Sequence, residues 1–164
     1  TSGVLVIPDD FTASCFTNTD QENNQITAFY AGAMAHSARI SLREASPAQP
    51  DLVVITPSEP AAMLQLAAEC TELSIPYVYD PSMQAPRMTG SELEAGFRGA
   101  KVLTGNDYEF GMMAEKIGIT ESELRRRVPV TVMTRGAEGA LITVGDTEYE
   151  IPSAAPRQSR DVPA

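Results

Sequence analysis

The chain has 164 residues, of which 43% are hydrophobic and 21% are charged, and its formal net charge is −10. This length supports one domain with a real core, and the composition is that of a globular rather than a disordered protein. The acidic charge argues against nucleic acid or an anionic membrane as a partner, and no apolar run is long enough to span a bilayer. Cys15 and Cys70 form no C-x-x-C pair and lie among apolar or small neighbours, so we expect buried free thiols in a reducing cytoplasm.

The first elements predicted in chain order are strands. Alternating apolar and polar side chains predict a half-exposed hairpin from residues 4–7 and 12–19, with Pro8, Asp9 and Asp10 in its turn. The polar residues 18–25 that follow are interpreted as a solvated loop. Residues 29–34 combine aromatic and small side chains, which suits either close approach to a flat ligand or a tight packing corner.

From residue 51 onward, strands and helices alternate. Short apolar runs predict strands at residues 51–56, 75–80, 100–103 and 129–133. The first intervening helix is predicted to be capped by Ser58, with Pro60 in its first turn. Further helices are predicted at residues 91–97, 106–117 and 121–127, and a last hairpin at residues 141–144 and 148–151. This order predicts an α/β fold with a mostly parallel sheet.

The predicted parallel strands all end in polar residues. These ends are residues 56–58, 80–82, 104–106 and 134–136. Ligands of such sheets bind outside the carboxyl ends of the strands, so all four ends should face the same side. If the turns after Leu103 and Met133 lie side by side, they form one edge of a phosphate pocket, because free N–H groups at a helix start attract anions.

The turn after Leu103 contains Asn106-x-x-Glu109. An amide and a carboxylate one helical turn apart can both face a pocket, and the carboxylate can hold Mg²⁺ beside phosphates. The same pattern is also a capping box, which closes the start of a helix. Because Ser91-x-x-Glu94 and Thr120-x-x-Glu123 have the same shape, the pattern alone favours a cap.

The turn after Met133 contains Thr134-Arg135-Gly136-x-x-Gly139. Its glycines let the backbone approach a nucleotide, its arginine can pair with phosphate, and its threonine can donate a hydroxyl. A glycine-containing hairpin turn is an equally good interpretation. The segment is not a Walker A loop, since G-x-x-x-x-G-K-[ST] does not occur in the chain. Asp80 ends another strand and can orient a sugar hydroxyl or a metal-bound water, although a turn aspartate before proline is the plainer interpretation.

Taken in order, five stretches resemble the PfkB (ribokinase-like) family of sugar and nucleoside kinases, and in detail its bacterial adenosine-kinase-like branch. The five are residues 16–26, 28–34, 79–84, 103–109 and 134–139. The resemblance implies a doubly wound, Rossmann-like α/β core with helices on both faces of a mostly parallel sheet, and part of a small β lid. It assigns residues 1–20 to lid strands and residues 21–164 to the nucleotide-binding core.

The resemblance also implies an activity, the transfer of the γ-phosphate of ATP to a sugar hydroxyl with Mg²⁺. Asn106 and Glu109 match the family's phosphate and magnesium motif, which makes Glu109 the expected metal ligand. Thr134, Arg135 and Gly136 match its ATP-side turn, in which Gly139 is a further candidate.

On the acceptor side, Phe29 matches an aromatic that packs on the acceptor, and Gln84 matches a polar acceptor contact. With Asp80 they form the predicted substrate-binding set. The implied partner is a small sugar or nucleoside, and exposed lid strands favour pairing with a second copy of the chain.

Two departures from the family bear on activity. The glycine- and asparagine-rich substrate-binding half that opens family members is absent from these 164 residues. So is the G-A-G-D segment, whose aspartate is the base and whose helix start is the anion hole. Family members usually have threonine and glycine at the positions of Pro163 and Ala164. We therefore expect a central fragment of a kinase that does not turn over alone. The alternatives are a non-catalytic nucleotide- or sugar-binding module and a structural remnant without a ligand.

Overall fold

The computed structural model describes residues 4–22, 24–45 and 49–154. Two antiparallel strands, β1 (Ser14–Thr19) and β2 (Gln25–Tyr30), form a hairpin that is a sheet of its own. Asp20 closes its turn, since Oδ1 of that carboxylate accepts from the N–H groups of Glu22 and Asn24 at 2.8 and 2.9 Å. The Thr17 and Thr27 hydroxyls pair across the strands at 3.1 Å.

The predicted hairpin partner was wrong. Residues 4–7 form no strand, and the second strand lies later in the chain, at Gln25–Tyr30. The polar run at residues 18–25 contains the hairpin turn rather than ending the sheet, because the Asp20 carboxylate replaces backbone partners there. The predicted division at residue 20 therefore falls within this hairpin.

The main sheet has six strands in the order in which they occur along the chain. They are β3 (Val53–Ile55), β4 (Tyr77–Tyr79), β5 (Val102–Asn106), β6 (Val130–Thr134), β7 (Ala140–Val144) and β8 (Thr147–Ile151). The first four are parallel, and β7 and β8 extend the sheet as antiparallel strands. The predicted α/β class with a mostly parallel sheet, and the predicted last hairpin, are confirmed.

Within the described residues, five α-helices accompany the strands: α1 (Leu42–Ala45), α2 (Pro60–Glu72), α3 (Gly90–Phe97), α4 (Asp107–Ile117) and α5 (Glu121–Arg126). Short 3₁₀ helices form at Gly32–Arg39, Ser82–Arg87 and Gly136–Glu138. Gly32 marks a tight corner, as one alternative predicted, because a Cβ there would lie 2.2 Å from the carbonyl oxygen of Phe11.

Two predicted caps were wrong. The Glu59 side chain caps α2 instead of Ser58, whose hydroxyl pairs with that of Ser37 at 2.9 Å. The capping box of α3 is Thr89 with Glu92, because that helix starts at Gly90, before Ser91. The predicted boxes at Asn106 and Thr120 both form.

The helices cover one face of the main sheet. Each of α2 to α5 packs against the next, as expected for right-handed crossovers between strands in sequential order. Beneath them lies a fully buried row of neighbouring strand residues: Ile55, Tyr79, Leu103, Thr131 and Thr143.

The opposite face of the sheet carries a row of valines in direct register: Val54, Val78, Val102, Val130 and Val144. Val54 is 58% exposed and Val144 44% exposed at the two ends of this row. In residues 4–22, 24–45 and 49–154, no helix layer covers this face, so the predicted second layer is not seen in the part of the chain that the structure describes.

None of the helices in these ranges combines the length and apolar character that crossing a membrane requires.

Candidate functional site

The carboxyl ends of β5 and β6 bring the two predicted turns together. In the parallel register, Asn106 lies beside Thr134, and Gly105 lies beside Met133. The Thr134 hydroxyl donates to the carbonyl oxygen of Gly105 at 3.4 Å. The turns after Leu103 and Met133 are therefore neighbours on one edge of the sheet, as the sequence predicted.

Asn106 and Glu109 close the start of α4 as a capping box. The Asn106 side-chain oxygen accepts from the N–H of Glu109 at 2.8 Å, and Oε2 of Glu109 accepts from the N–H of Asn106 at 2.7 Å. Gly105 makes room for this fold-back, because a Cβ there would lie 3.0 Å from that same Oε2. The cap interpretation is thus correct for the local structure, and it leaves Oε1 of Glu109 outside the box.

The start of α4 is rich in negative charge. Asp107 and Glu109 both lie in its first turn, and the Asp107 carboxylate accepts from the N–H of Tyr108 at 2.8 Å. Carboxylates at this end of a helix are favourable, but they compete with an incoming phosphate for the positive end of the dipole. A polyphosphate would bind here more readily if it arrived with a cation.

Asp80 follows β4, whose neighbour is β5, and lies close to this helix start. Burial raises the pKa of its carboxyl, and the negative charge of Glu109 raises that pKa further. One of its oxygens, Oδ1, is buried with no hydrogen-bond partner among the described residues. Asp80 and Glu109 are therefore two carboxylates that would both gain from a shared cation.

The Gly136–Glu138 3₁₀ turn joins β6 to the antiparallel β7, so the hairpin interpretation of this turn is also correct locally. Gly139 has φ +92°, and a Cβ there would lie 2.0 Å from the Ile151 carbonyl oxygen. Gly136 has φ +54°, and no atom lies within 4 Å of the position its Cβ would take. Gly139 thus serves packing against the end of β8, whereas Gly136 leaves open space beside the Asn106 turn.

Arg135 is held by β8, the strand that lies beyond β7 in the sheet. One of its Nη atoms lies 3.5 Å from the Glu150 carboxylate, and its side chain is only 22% exposed. Its Nε atom is buried without a partner among the described residues. A phosphate at this edge would compete with Glu150, whose side chain is 76% exposed.

The two predicted acceptor contacts differ in accessibility. Phe29 lies on β2 with 47% of its surface exposed, in register with Cys15 on β1. Gln84 lies in the Ser82–Arg87 3₁₀ helix, is only 4% exposed, and accepts from an Nη atom of Arg87 at 3.4 Å. Phe29 therefore offers a free aromatic surface, and the Gln84 amide is held in place by its surroundings.

Sequence reasoning placed Gly105 in the turn without a packing role and missed Lys116. Gly105 could have been found from its position directly before the capping residue, where a side chain would collide with a folded-back Glu109. Lys116 binds backbone carbonyls of residues 85, 86 and 88, which no local pattern predicts because about thirty residues separate it from them.

A mostly parallel sheet with adjoining polar turns at its carboxyl edge is the arrangement of a ligand-binding α/β protein. Residues 1–163 match the pfkB family of carbohydrate kinases, and the chain belongs to this family.

Similar proteins include nucleoside kinases. That of Methanothermobacter thermautotrophicus is 26% identical over 159 residues, which are 96% of this chain and 51% of that protein. The structure of Burkholderia thailandensis nucleoside kinase in complex with inosine is 32% identical with a TM-score of 0.86, and the match covers 94% of this chain and 50% of that one. A structure of the same kinase in complex with ADP-inosine has a TM-score of 0.84. The chain spans about half the length of these relatives.

Proposed function

We propose that this chain is the nucleotide-binding part of a kinase that transfers the γ-phosphate of ATP to a hydroxyl group of a nucleoside. The observation that carries this proposal is the pairing of Asn106 with Thr134 across β5 and β6. It joins a helix start to an open glycine turn, the two parts that a triphosphate needs beside each other. Family membership and the nucleoside kinases among the relatives support the same assignment.

Phosphate binding would use backbone N–H groups at the turns after β5 and β6. Gly136 has no neighbour within 4 Å of its Cβ position, so a nucleotide can approach the chain closely there. Arg135 would exchange its Glu150 carboxylate for phosphate, and the Thr134 hydroxyl would turn from the Gly105 carbonyl to a phosphate oxygen.

Mg²⁺ fits this edge only together with the nucleotide. The part of the chain that the structure describes contains no cluster of three or more histidine, cysteine or acidic residues suited to a metal. Mg²⁺ normally takes one or two carboxylates and completes its shell with phosphate oxygens and water. Glu109 Oε1 and the unpartnered Asp80 Oδ1 would supply the carboxylate oxygens. When bound, the cation would offset the charge that the triphosphate brings to an already acidic site.

The acceptor is proposed to be a nucleoside rather than a free sugar. Phe29 exposes a flat aromatic surface on which a base can stack, and the buried Gln84 amide is positioned by Arg87 to read polar groups. The Burkholderia thailandensis relative binds inosine. Asp80 would contact the sugar or the cation from the end of β4.

The 164 residues contain no G-x-G-D segment, so we expect nucleotide binding without turnover by this polypeptide. A non-catalytic nucleotide-binding module is the second candidate. A G-x-G-D segment following these residues in the parent gene would support the kinase, and a parent gene without one would support the module.

The direct test is the thermal unfolding of the chain with and without ATP and Mg²⁺. We expect the ligand to raise the melting temperature, since it binds only the folded state. Glu109→Gln should abolish the Mg²⁺-dependent part of this rise. Glu123→Gln is the matched control, because Glu123 forms the same capping box on α5 away from the site. A wild-type chain whose melting temperature does not change with ATP contradicts the proposal. Ordinary kinase turnover contradicts the expectation that this polypeptide binds nucleotide without turnover.

We also propose that the β1–β2 hairpin pairs with a second copy of the chain. Phe16, Ile26 and Tyr30 share one face of the hairpin and are 67%, 78% and 51% exposed. A two-stranded sheet with an apolar face is marginal alone in water, so a partner surface would stabilise it.

A further inference from the structure

Lys116, in the last turn of α4, binds three backbone carbonyl groups of one distant segment. Its ammonium donates to the carbonyl oxygens of Ala85, Pro86 and Met88 at 3.0, 2.7 and 2.7 Å. An ammonium has three N–H donors, so these bonds use its whole capacity. Hydrogen bonds from a charged donor are also stronger than those between neutral groups.

The three acceptors belong to the end of the Ser82–Arg87 3₁₀ helix and the residue just beyond it. Carbonyl groups at a helix end lack the donors that a further turn would supply. Lys116 supplies these donors from outside the segment and places its positive charge at the negative end of the 3₁₀ helix.

Close packing on both sides leaves this segment little freedom. A Cβ on Gly90 would lie 2.1 Å from the Lys116 carbonyl oxygen, so the start of α3 touches the end of α4. The buried Tyr79 hydroxyl donates to the sulfur of Met88 at 3.9 Å. The segment between β4 and α3 is thus held from the sheet side by Tyr79 and from the helix side by Lys116.

One helix therefore connects the two sides of the proposed site. α4 begins at the Asn106–Glu109 capping box and carries Lys116 in its last turn. The segment that Lys116 binds carries Gln84, whose side chain is 4% exposed. α4 and the three Lys116 bonds therefore link the Asn106–Glu109 turn to the segment that carries Gln84.

We infer that Lys116 is a positioning residue, which holds the residue 82–88 segment, and with it Gln84, at a set distance from the Asn106–Glu109 turn. The inference rests on the proposed function only where it assigns Gln84 to the acceptor side. Lys116 lies in the last turn of α4, at the opposite end of this helix from the Asn106–Glu109 turn.

The chain provides a matched control, because Lys101 and Lys116 are its only lysines. Lys101 is exposed at the start of β5, at the far end of the sheet from the candidate site. The variants are Lys116→Met, which keeps the stem and removes the donors, Lys116→Arg, which keeps the charge, and Lys101→Met. The probes are the amide exchange rates of Gln84 and Met88, whose N–H groups donate to the carbonyls of Pro81 and Gln84.

We expect Lys116→Met to accelerate exchange at Gln84 and Met88 about fivefold or more relative to the β6 amides, since the segment loses its charge-assisted bonds. Lys116→Arg should restore these rates to within about twofold, and Lys101→Met should leave them unchanged. Equal acceleration in β6 would make Lys116 a general stabiliser and overturn the inference. Unchanged rates at Gln84 and Met88 would overturn it as well.

A spectroscopic signature tests the contact itself. With ¹⁵N-labelled lysine, the Lys116 ammonium should give a slowly exchanging Nζ resonance, whereas the exposed Lys101 should not. Two equally fast-exchanging ammonium groups would contradict the three-carbonyl contact. Nucleotide binding is measured separately on the wild-type chain, so failure of the proposed function and failure of the Lys116 inference give different results.

Discussion

At the scale of single residues, Gly136 and Gly139 show two distinct reasons for glycine in one turn. Both have positive φ, but only Gly139 meets backbone, since a Cβ there would lie 2.0 Å from the Ile151 carbonyl oxygen. Gly136 faces open space. The spacing of the two glycines in the sequence does not reveal this difference in packing, because the contact with Ile151 depends on the position of β8 beside the turn.

We predict that Gly139→Ala lowers the free energy of unfolding by about 1–3 kcal/mol through backbone strain, with a further loss from the collision. Gly136→Ala is the control and should cost about 1 kcal/mol, the usual penalty of a left-handed non-glycine residue. Chemical denaturation of both variants measures the difference. Equal losses would contradict the assigned packing role of Gly139.

Asp80 should make stability depend on pH in a defined direction. Its pKa is raised in the folded chain from a reference value of 3.8, by burial first and by Glu109 second. The folded state therefore favours the protonated carboxyl, and ionisation costs stability as pH rises from about 4 through the folded-state pKa. Above that pKa the cost is complete and stays constant.

Asp80→Asn removes this cost, so its free energy of unfolding relative to wild type should increase from pH 4 towards neutrality and then level off. Denaturation curves across that pH range test the prediction. In a Glu109→Gln background the increase should shrink, because one cause of the raised pKa is gone. A difference that stays flat or falls with rising pH would show that the Asp80 carboxyl is not disfavoured in its ionised form.

Residue roles were predictable from sequence where they are local. The Asn106–Glu109 pair was placed correctly, and its capping geometry follows from a three-residue spacing. The partner of Arg135 was not predictable, since Glu150 reaches it only through the pairing of β7 with β8. The buried state of Gln84 likewise depends on tertiary packing.

At the scale of elements, short apolar runs and helical spacing predicted the strand and helix series from residue 51 onward, because these elements bury apolar side chains. Sequence periodicity failed in the first thirty residues, where every residue of β2 and nearly every residue of β1 is exposed. Because these strands have no buried face, the alternation of apolar and polar side chains does not indicate which segments pair. The turn that Asp20 closes determines the pairing of β1 with β2.

Adjacent residues of β3 test whether one face of the sheet is covered in this chain. Ile55 is 2% exposed beneath the helices, and Val54 is 58% exposed on the valine row. We predict that Ile55→Ala costs about 2–5 kcal/mol and that Val54→Ala changes stability by less than about 0.5 kcal/mol. A large loss for Val54→Ala in equilibrium denaturation would mean that another surface covers the valine row in solution.

At the scale of the whole molecule, the hairpin face and the valine row are apolar surfaces that the described part of the chain exposes. The hairpin prediction concerns oligomeric state. If a second copy pairs through Phe16 and Ile26, light scattering should give twice the chain mass at high concentration, and Ile26→Thr should shift the protein towards monomer. Thr17→Ser, on the opposite face, is the control. A monomer at all concentrations would contradict this pairing, and so would a dimer whose mass by light scattering is unchanged by Ile26→Thr.

The central claim is that the β5 and β6 turns together bind the phosphates of a nucleotide, and amide chemical shifts during titration with MgADP test it most directly. We predict that the largest shifts fall on Gly105, Asn106 and Gly136, where the two turns adjoin. Ser74 and Lys101, at the amino ends of β4 and β5, should stay unchanged. Shifts concentrated at those amino ends, or no shifts at saturating MgADP, would contradict the account.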